Sequence, residues 1–113
     1  MVAAMQLAKR QCVPCRADTQ KVEGDLLAGL LAQLGDGWEV AGERLRRSFR
    51  FPDFVSALAF VNRIGEVAEA EQHHPDLLLA WGRVTVEIWT HAIGGLSEND
   101  FILAAKIDEL GGA

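Results

Sequence analysis

Three histidines carry most of the chemistry available to this 113-residue sequence, and all of them lie between positions 73 and 91. His73 and His74 are adjacent and precede a proline, in Glu69-Ala70-Glu71-Gln72-His73-His74-Pro75. His91 ends an alternating segment, Val84-Thr85-Val86-Glu87-Ile88-Trp89-Thr90-His91. Unperturbed imidazole titrates closer to neutral pH than other side chains, so the cluster is a source of general acid–base chemistry. Competing groups are few. The chain has no tyrosine, no serine in a nucleophile elbow and no glycine-rich phosphate loop.

The elements that must position these residues follow from periodicity. Residues 1–21 read as an irregular arm and 22–113 as one domain. Leu26, Leu27, Leu30, Leu31 and Leu34 predict a helix from Val22 to Leu34, stopped by Gly35 and Gly37. Trp38 to Val40 and Leu45 to Phe51 read as strands around the turn Ala41-Gly42-Glu43. Asp53 is a good N-cap for a second helix running to about Glu71. Its Phe54, Val55, Ala57, Leu58, Phe60, Val61, Ile64, Val67 and Ala68 exceed one apolar stripe. The excess predicts an oligomer contact over residues 53–71, a central place in the monomer being the plainer alternative.

Leu77 to Trp81 is the next strand, and Gly82 turns into a strand from Arg83 to His91. Alternation puts Val84, Val86, Ile88 and Thr90 on one face and Glu87, Trp89 and His91 on the other. After Gly94-Gly95, Ser97 opens a last helix carrying Phe101, Ile102, Ala104, Ala105, Ile107 and Leu110. The order is α-β-β-α-β-β-α. Short turns favour antiparallel pairing, so the class is α+β with helices packed on one sheet face.

Composition narrows the function classes. Half the residues are apolar and 24% are charged, which suits one globular domain. A net charge of -5 does not encourage nucleic-acid binding. The basic run Arg44, Arg46, Arg47 and Arg50 reads as a solvated strand face, or else as a partner or anion site. Near the start, a short apolar stretch precedes Lys9 and Arg10, the reverse of a signal peptide and too short to span a bilayer. A cytoplasmic protein without membrane contact is expected. Cys12-Val13-Pro14-Cys15 reads as incidental thiols, half a metal site or a redox pair. No second C-x-x-C or H-x3-H pair completes a zinc site.

Pro75 sharpens the histidine cluster. A residue before proline is pushed out of the helical region, so His74 is extended and the helix ends at about Gln72 or His73. His73 then sits at a helix C-terminus, whose partial negative charge favours imidazolium. Glu69, one turn earlier, is spaced to approach His73 and add to that preference. His91, beside Trp89, can face the same cavity from the other side. Plainer roles remain open: a structural or merely exposed His91, a helix-end His73, a surface His74, and Trp81 and Trp89 in the core. Asp100 fits the third position of a capping box opened by Ser97. Adjacent histidines before a proline project in different directions, which disfavours a three-histidine zinc site.

Three stretches together resemble the pterin-4a-carbinolamine dehydratases. They are Glu69-x3-His73-His74-Pro75, then Trp81-Gly82-x-Val84-x-Val86, then Thr90-His91-x3-Gly95-Leu96-Ser97-x2-Asp100. The resemblance covers roughly Trp38 to Leu110, and Cys12-x2-Cys15-Arg16 is similar to bacterial members. It implies a four-stranded antiparallel sheet with three helices on one face. It also implies dehydration of 4a-hydroxytetrahydrobiopterin, or a related 4a-hydroxytetrahydropterin, to quinonoid dihydropterin and water. That reaction recycles the cofactor of aromatic amino acid hydroxylases, and the pterin is substrate, so neither cofactor nor metal is implied. Carried onto this sequence, His73 and His91 are the acid–base pair and His74 binds and orients the pterin. Glu69 and Asp100 orient imidazoles, and Trp81 or Trp89 flanks the pterin ring. Dimers that join their sheets, and tetramers through the second helix, are further implications.

The resemblance also brings rival readings. One is a non-enzymatic assembly or dimerisation partner, either like a transcription-factor coactivator or like a RuBisCO assembly factor. Another is a role with a different pterin. The intact histidine trio favours the enzyme, because a scaffold has no use for an acid–base site.

Overall fold

A computed structural model describes residues 7–13 and 18–111. The main elements run α1 (Gly24–Ala32), β1 (Glu39–Ala41), β2 (Arg44–Arg50), α2 (Phe54–Glu71), β3 (Asp76–Ala80), β4 (Arg83–Ile88) and α3 (Glu98–Glu109), with a 3-10 turn at His91–Ile93 before α3. The four strands form one sheet in the order β1-β2-β4-β3, every neighbouring pair antiparallel. Leu45, Phe49, Val84, Val86 and Ile88 alternate onto one sheet face and are buried there. Ala57, Phe60 and Ile64 of α2 cover them, and α3 packs beside α2 with Phe101, Ile102 and Leu103 buried in the same core. This is the α+β sandwich that the periodicity predicts.

Local chemistry sets the element ends. Asp53 caps α2, its Oδ1 accepting from the Ser56 amide at 2.8 Å. Gly42 takes φ +64 in the β1–β2 turn, and a Cβ on Gly82 would meet the Phe51 carbonyl at 2.9 Å. Helix α1 is shorter than its leucine spacing predicts. Val22 instead gives its amide to the Leu96 carbonyl at 2.7 Å, and Gln33 and Leu34 close the far end with tighter i→i−3 bonds. The arm is also less irregular than expected, because residues 7–9 are helical and Leu7 and Ala8 lie in the core.

The last strand differs in a way that matters for function. It ends at Ile88 rather than His91. Thr90 and Gly95 then pair across a closed loop, with Thr90 N–H donating to Gly95 O at 2.8 Å. Gly94, at φ +59, lets that loop close. The alternation still holds through Thr90, which is buried with Ile88, so His91 leaves on the side of Trp89.

Candidate active site

The end of α2 decides where His73 points. Gln72 adopts the left-handed conformation at φ 54, and among the described residues it alone does so without being glycine. Its side chain donates to the Glu69 carbonyl at 2.6 Å, while the His73 amide reaches back to Ala68 O at 3.3 Å. This left-handed closure satisfies helix-end carbonyls and swings the chain away from the helix axis. A left-handed non-glycine residue is strained, and such strain is commonly kept where a site needs it.

His73 is therefore directed inward. It is buried, and Asp100 Oδ1 accepts from its Nε2 at 2.6 Å. The other oxygen of Asp100 accepts from the Ser97 amide at 2.8 Å and from Thr90 Oγ1 at 2.9 Å. Thr90 Oγ1 also lies 2.7 Å from Ser97 Oγ. Asp100 is fully buried, so these contacts replace the water it has lost. The capping role expected for Asp100 and its contact with an imidazole thus coexist: one carboxylate starts α3 and holds His73.

Glu69 behaves differently from the spacing argument. It does not pair with His73; its Oε2 accepts from His74 Nε2 at 2.5 Å. The cause is Gln72. Its left-handed turn breaks the i, i+4 relation, taking His73 towards α3 and leaving His74 beside Glu69. That pair is exposed, so it orients His74 more than it stabilises the fold.

His91 opens the 3-10 turn, its ring packed on Trp89 with centroids 4.4 Å apart. The Arg44 guanidinium lies 3.9 Å from the Trp89 ring centroid and is held by Glu87 Oε1 at 2.6 Å. The Arg44 hydrogen bond, then its charge, keeps the Glu87 carboxyl below the usual glutamate range. Sequence reading missed Arg44 and Thr90 as supports. Arg44 lies opposite the β4 end in the β2–β4 ladder, and cross-strand pairing was the signal that could have found it.

His73, His74 and His91 line one cavity of about 200 Å³ together with Gln72, Trp89, Thr90 and Ala92. Trp81 does not line it. That side chain is 68% exposed in the β3–β4 turn, at the opposite end of the hairpin. Arg44 and Arg46 of the basic run pair with Glu87, and Arg47 pairs with Asp108. Among the described residues no three His, Cys, Asp or Glu side chains converge as a metal site would need. Burial, then the nearby Glu71 charge, pushes the Cys12 thiol up to about 12, so it stays protonated through the neutral range. Cys15 lies outside the described residues.

One buried and one exposed imidazole-to-carboxylate contact can arise on unrelated folds, so similarity to known chains is informative here. The sequence profile of the family described as pterin 4 alpha carbinolamine dehydratase matches residues 20–110. A Rubrobacter xylanophilus protein provisionally named pterin-4-alpha-carbinolamine dehydratase is 51% identical, covering 93% of this chain and 98% of its own length. A similarly named Chlorobium limicola protein is 54% identical over 89% of this chain and 92% of its own. Pterin-4-alpha-carbinolamine dehydratase 2, mitochondrial, of Arabidopsis thaliana is 49% identical over 92% of this chain and 58% of its own. A crystal structure described as transcriptional coactivator/pterin dehydratase from Brucella melitensis superimposes with TM-score 0.76 at 35% identity, covering 82% of this chain and all of that one. The profile runs through every element that carries the histidine cavity, and this chain belongs to the pterin 4 alpha carbinolamine dehydratase family.

Proposed function

We propose that this chain removes water from a 4a-hydroxytetrahydropterin, of which 4a-hydroxytetrahydrobiopterin is the expected example, by histidine acid–base catalysis. The observation that carries the proposal is the convergence of His73, His74 and His91 on one cavity in a chain of this family. The N5 lone pair forms the C4a=N5 bond, the C4a–O bond breaks, and the oxygen leaves as water. A general acid protonates that oxygen, and a general base takes the N5 proton. The products are quinonoid dihydropterin and water, with no change of redox state.

His73 and His91 are the proposed acid–base pair. Asp100 fixes the His73 ring through Nε2, and Trp89 backs the His91 ring, so both are held before substrate arrives. His74, steadied by Glu69, binds and orients the pterin. The proposed setting is recycling of an aromatic amino acid hydroxylase cofactor in the cytoplasm. Among the described residues no helix is long and apolar enough to cross a membrane.

We also place a homodimer or homotetramer contact on α2. Phe54, Val55 and Leu58 are exposed on its outer side, Val55 at 75%. Leu58→Asp should lower the mass seen by light scattering while leaving the helix content unchanged. The functional proposal is tested by following quinonoid dihydropterin formation with and without the protein. Acceleration well above buffer supports it, and a rate equal to buffer refutes it.

A further inference from the structure

Residues 7–13 of the arm bond to residues beside His73 and Asp100 rather than to the pair itself, and they lie outside the span matched by the family profile. Leu7 and Ala8 anchor it in the core, and Lys106 Nζ donates to the Ala8 carbonyl at 2.7 Å. The next residues then reach two helix ends. The Cys12 amide donates to Glu71 Oε1 at 2.8 Å, and Lys106 lies 3.6 Å from Glu71 Oε2. Val13 pairs with Asn99 at two points: its amide donates to Oδ1 at 3.1 Å, and its carbonyl accepts from Nδ2 at 2.6 Å. Cys12 Sγ also donates to the Asn99 carbonyl at 3.6 Å.

Glu71 is the last residue of α2, two before His73, and Asn99 adjoins Asp100 in the first turn of α3. Cys12-Val13 therefore joins the same two helix ends that the His73–Asp100 hydrogen bond joins. Asn99 is buried, so its amide is spent on this clamp rather than on solvent. The clamp needs both partners, because a buried amide left unpaired is costly. Reacting groups must be held to within a fraction of an ångström by the residues around them.

We propose that Asn99 and Glu71 are positioning residues for His73. The arm bonds to both and sets the spacing of the α2 and α3 ends that the His73–Asp100 bond requires. This rests on the reading that His73 takes part in the dehydration.

The test uses the full chain with Asn99→Ala, which removes both Val13–Asn99 bonds and leaves the Cys12–Glu71 bond in place. Three readouts are taken: kcat and KM for dehydration of 4a-hydroxytetrahydropterin, thermal unfolding, and the 1H–15N signal of the His73 Nε2–H group. The expected result is a kcat lower by about tenfold with KM changed less than about twofold. The imidazole signal should exchange with water faster. A lower Tm with kcat and the imidazole signal unchanged overturns the proposal, since a purely structural clamp would behave that way. Val13→Pro is the second variant. It deletes the amide that donates to Asn99 and restricts the backbone of Cys12, at a residue 64% exposed and outside the core. It should shift the same two readouts in the same direction by about two- to threefold, and no shift again overturns the proposal. Inactive wild-type protein, or a fully active His73→Ala, removes the functional reading instead; the imidazole signal still reports whether the arm positions His73.

Discussion

Asp100 and Asp108 lie about two turns apart on α3, and each accepts hydrogen bonds from three other residues. Asp108 receives the Gly35 amide at 3.1 Å, Trp38 Nε1 at 2.9 Å and Arg47 Nη1 at 2.7 Å. Its donors keep their protons at every working pH, because guanidinium, indole and amide do not titrate there. Asp100 also receives a backbone amide and a side chain that does not titrate, but its third donor is an imidazole on the wall of a cavity. Two clusters of the same size on one helix therefore do different work. Asp108 ties α3 to β2 and to the loop before β1, whereas Asp100 ties it to a group that can give and take a proton.

The sharpest contrast is between donors. His73→Ala and His91→Ala should each lower kcat/KM by about 10²- to 10⁴-fold, the usual contribution of a general acid or base. Arg47→Ala should leave kcat/KM within about twofold and lower stability by roughly 2 kcal/mol, through the half-buried Asp108 left without its cation. Chemical denaturation beside initial rates separates the two. Equal losses of activity in His73→Ala and Arg47→Ala would erase the distinction.

A smaller effect is expected at Gln72, which aims His73. Gln72→Val puts a β-branched residue at φ 54 and should cost about 1–2 kcal/mol while reducing kcat severalfold. Gln72→Gly removes that strain and forfeits only the bond to the Glu69 carbonyl, so its stability should stay within about 1 kcal/mol of wild type. Thermal melts and rates on both variants check this. A valine variant as stable and active as the glycine variant would show that the left-handed turn is not what sets His73.

The smallest expected change concerns the support behind His91. Glu87 has a folded pKa below its ordinary value of 4.5, first because of the Arg44 hydrogen bond. Its contribution is thus fully present above that ordinary value and fades as pH falls through the folded one. Glu87→Gln should flatten the acid limb of Tm against pH and leave Tm above pH 6 nearly unchanged. An unaltered acid limb would mean that the Arg44–Glu87 contact does not persist in solution.

Much of the fold, though not the Asp108 cluster, was legible in the amino-acid order. The 2.0 and 3.6 periodicities placed β4, its two faces and the long helix, and Asp53 marked the start of that helix to the residue. The histidines and Asp100 stood out by type and by motif. Their pairing did not, because it depends on one backbone conformation. A helix continuing through position 73 would set Glu69 beside His73, but Gln72 turns left-handed and hands Glu69 to His74. Propensity gives no warning of a left-handed glutamine. The end of β4 was hidden for a related reason, since Thr90 closes onto Gly95 while the residues still alternate. The arm was hidden because Leu7 and Ala8 are too few to show a period, and their burial follows from tertiary packing.

The most direct test is to make the same substitution at both ends of α3 and to measure kcat for 4a-hydroxytetrahydropterin dehydration below both melting temperatures. Asn in place of Asp keeps the shape and removes the charge and part of the accepting capacity in each cluster. Asp100→Asn should lower kcat by about 30-fold or more, and Asp108→Asn by less than about twofold, although both lower Tm. Asp100→Asn enzyme as fast as wild type, or equal loss in the two variants, would contradict the assignment of the catalytic end of the helix.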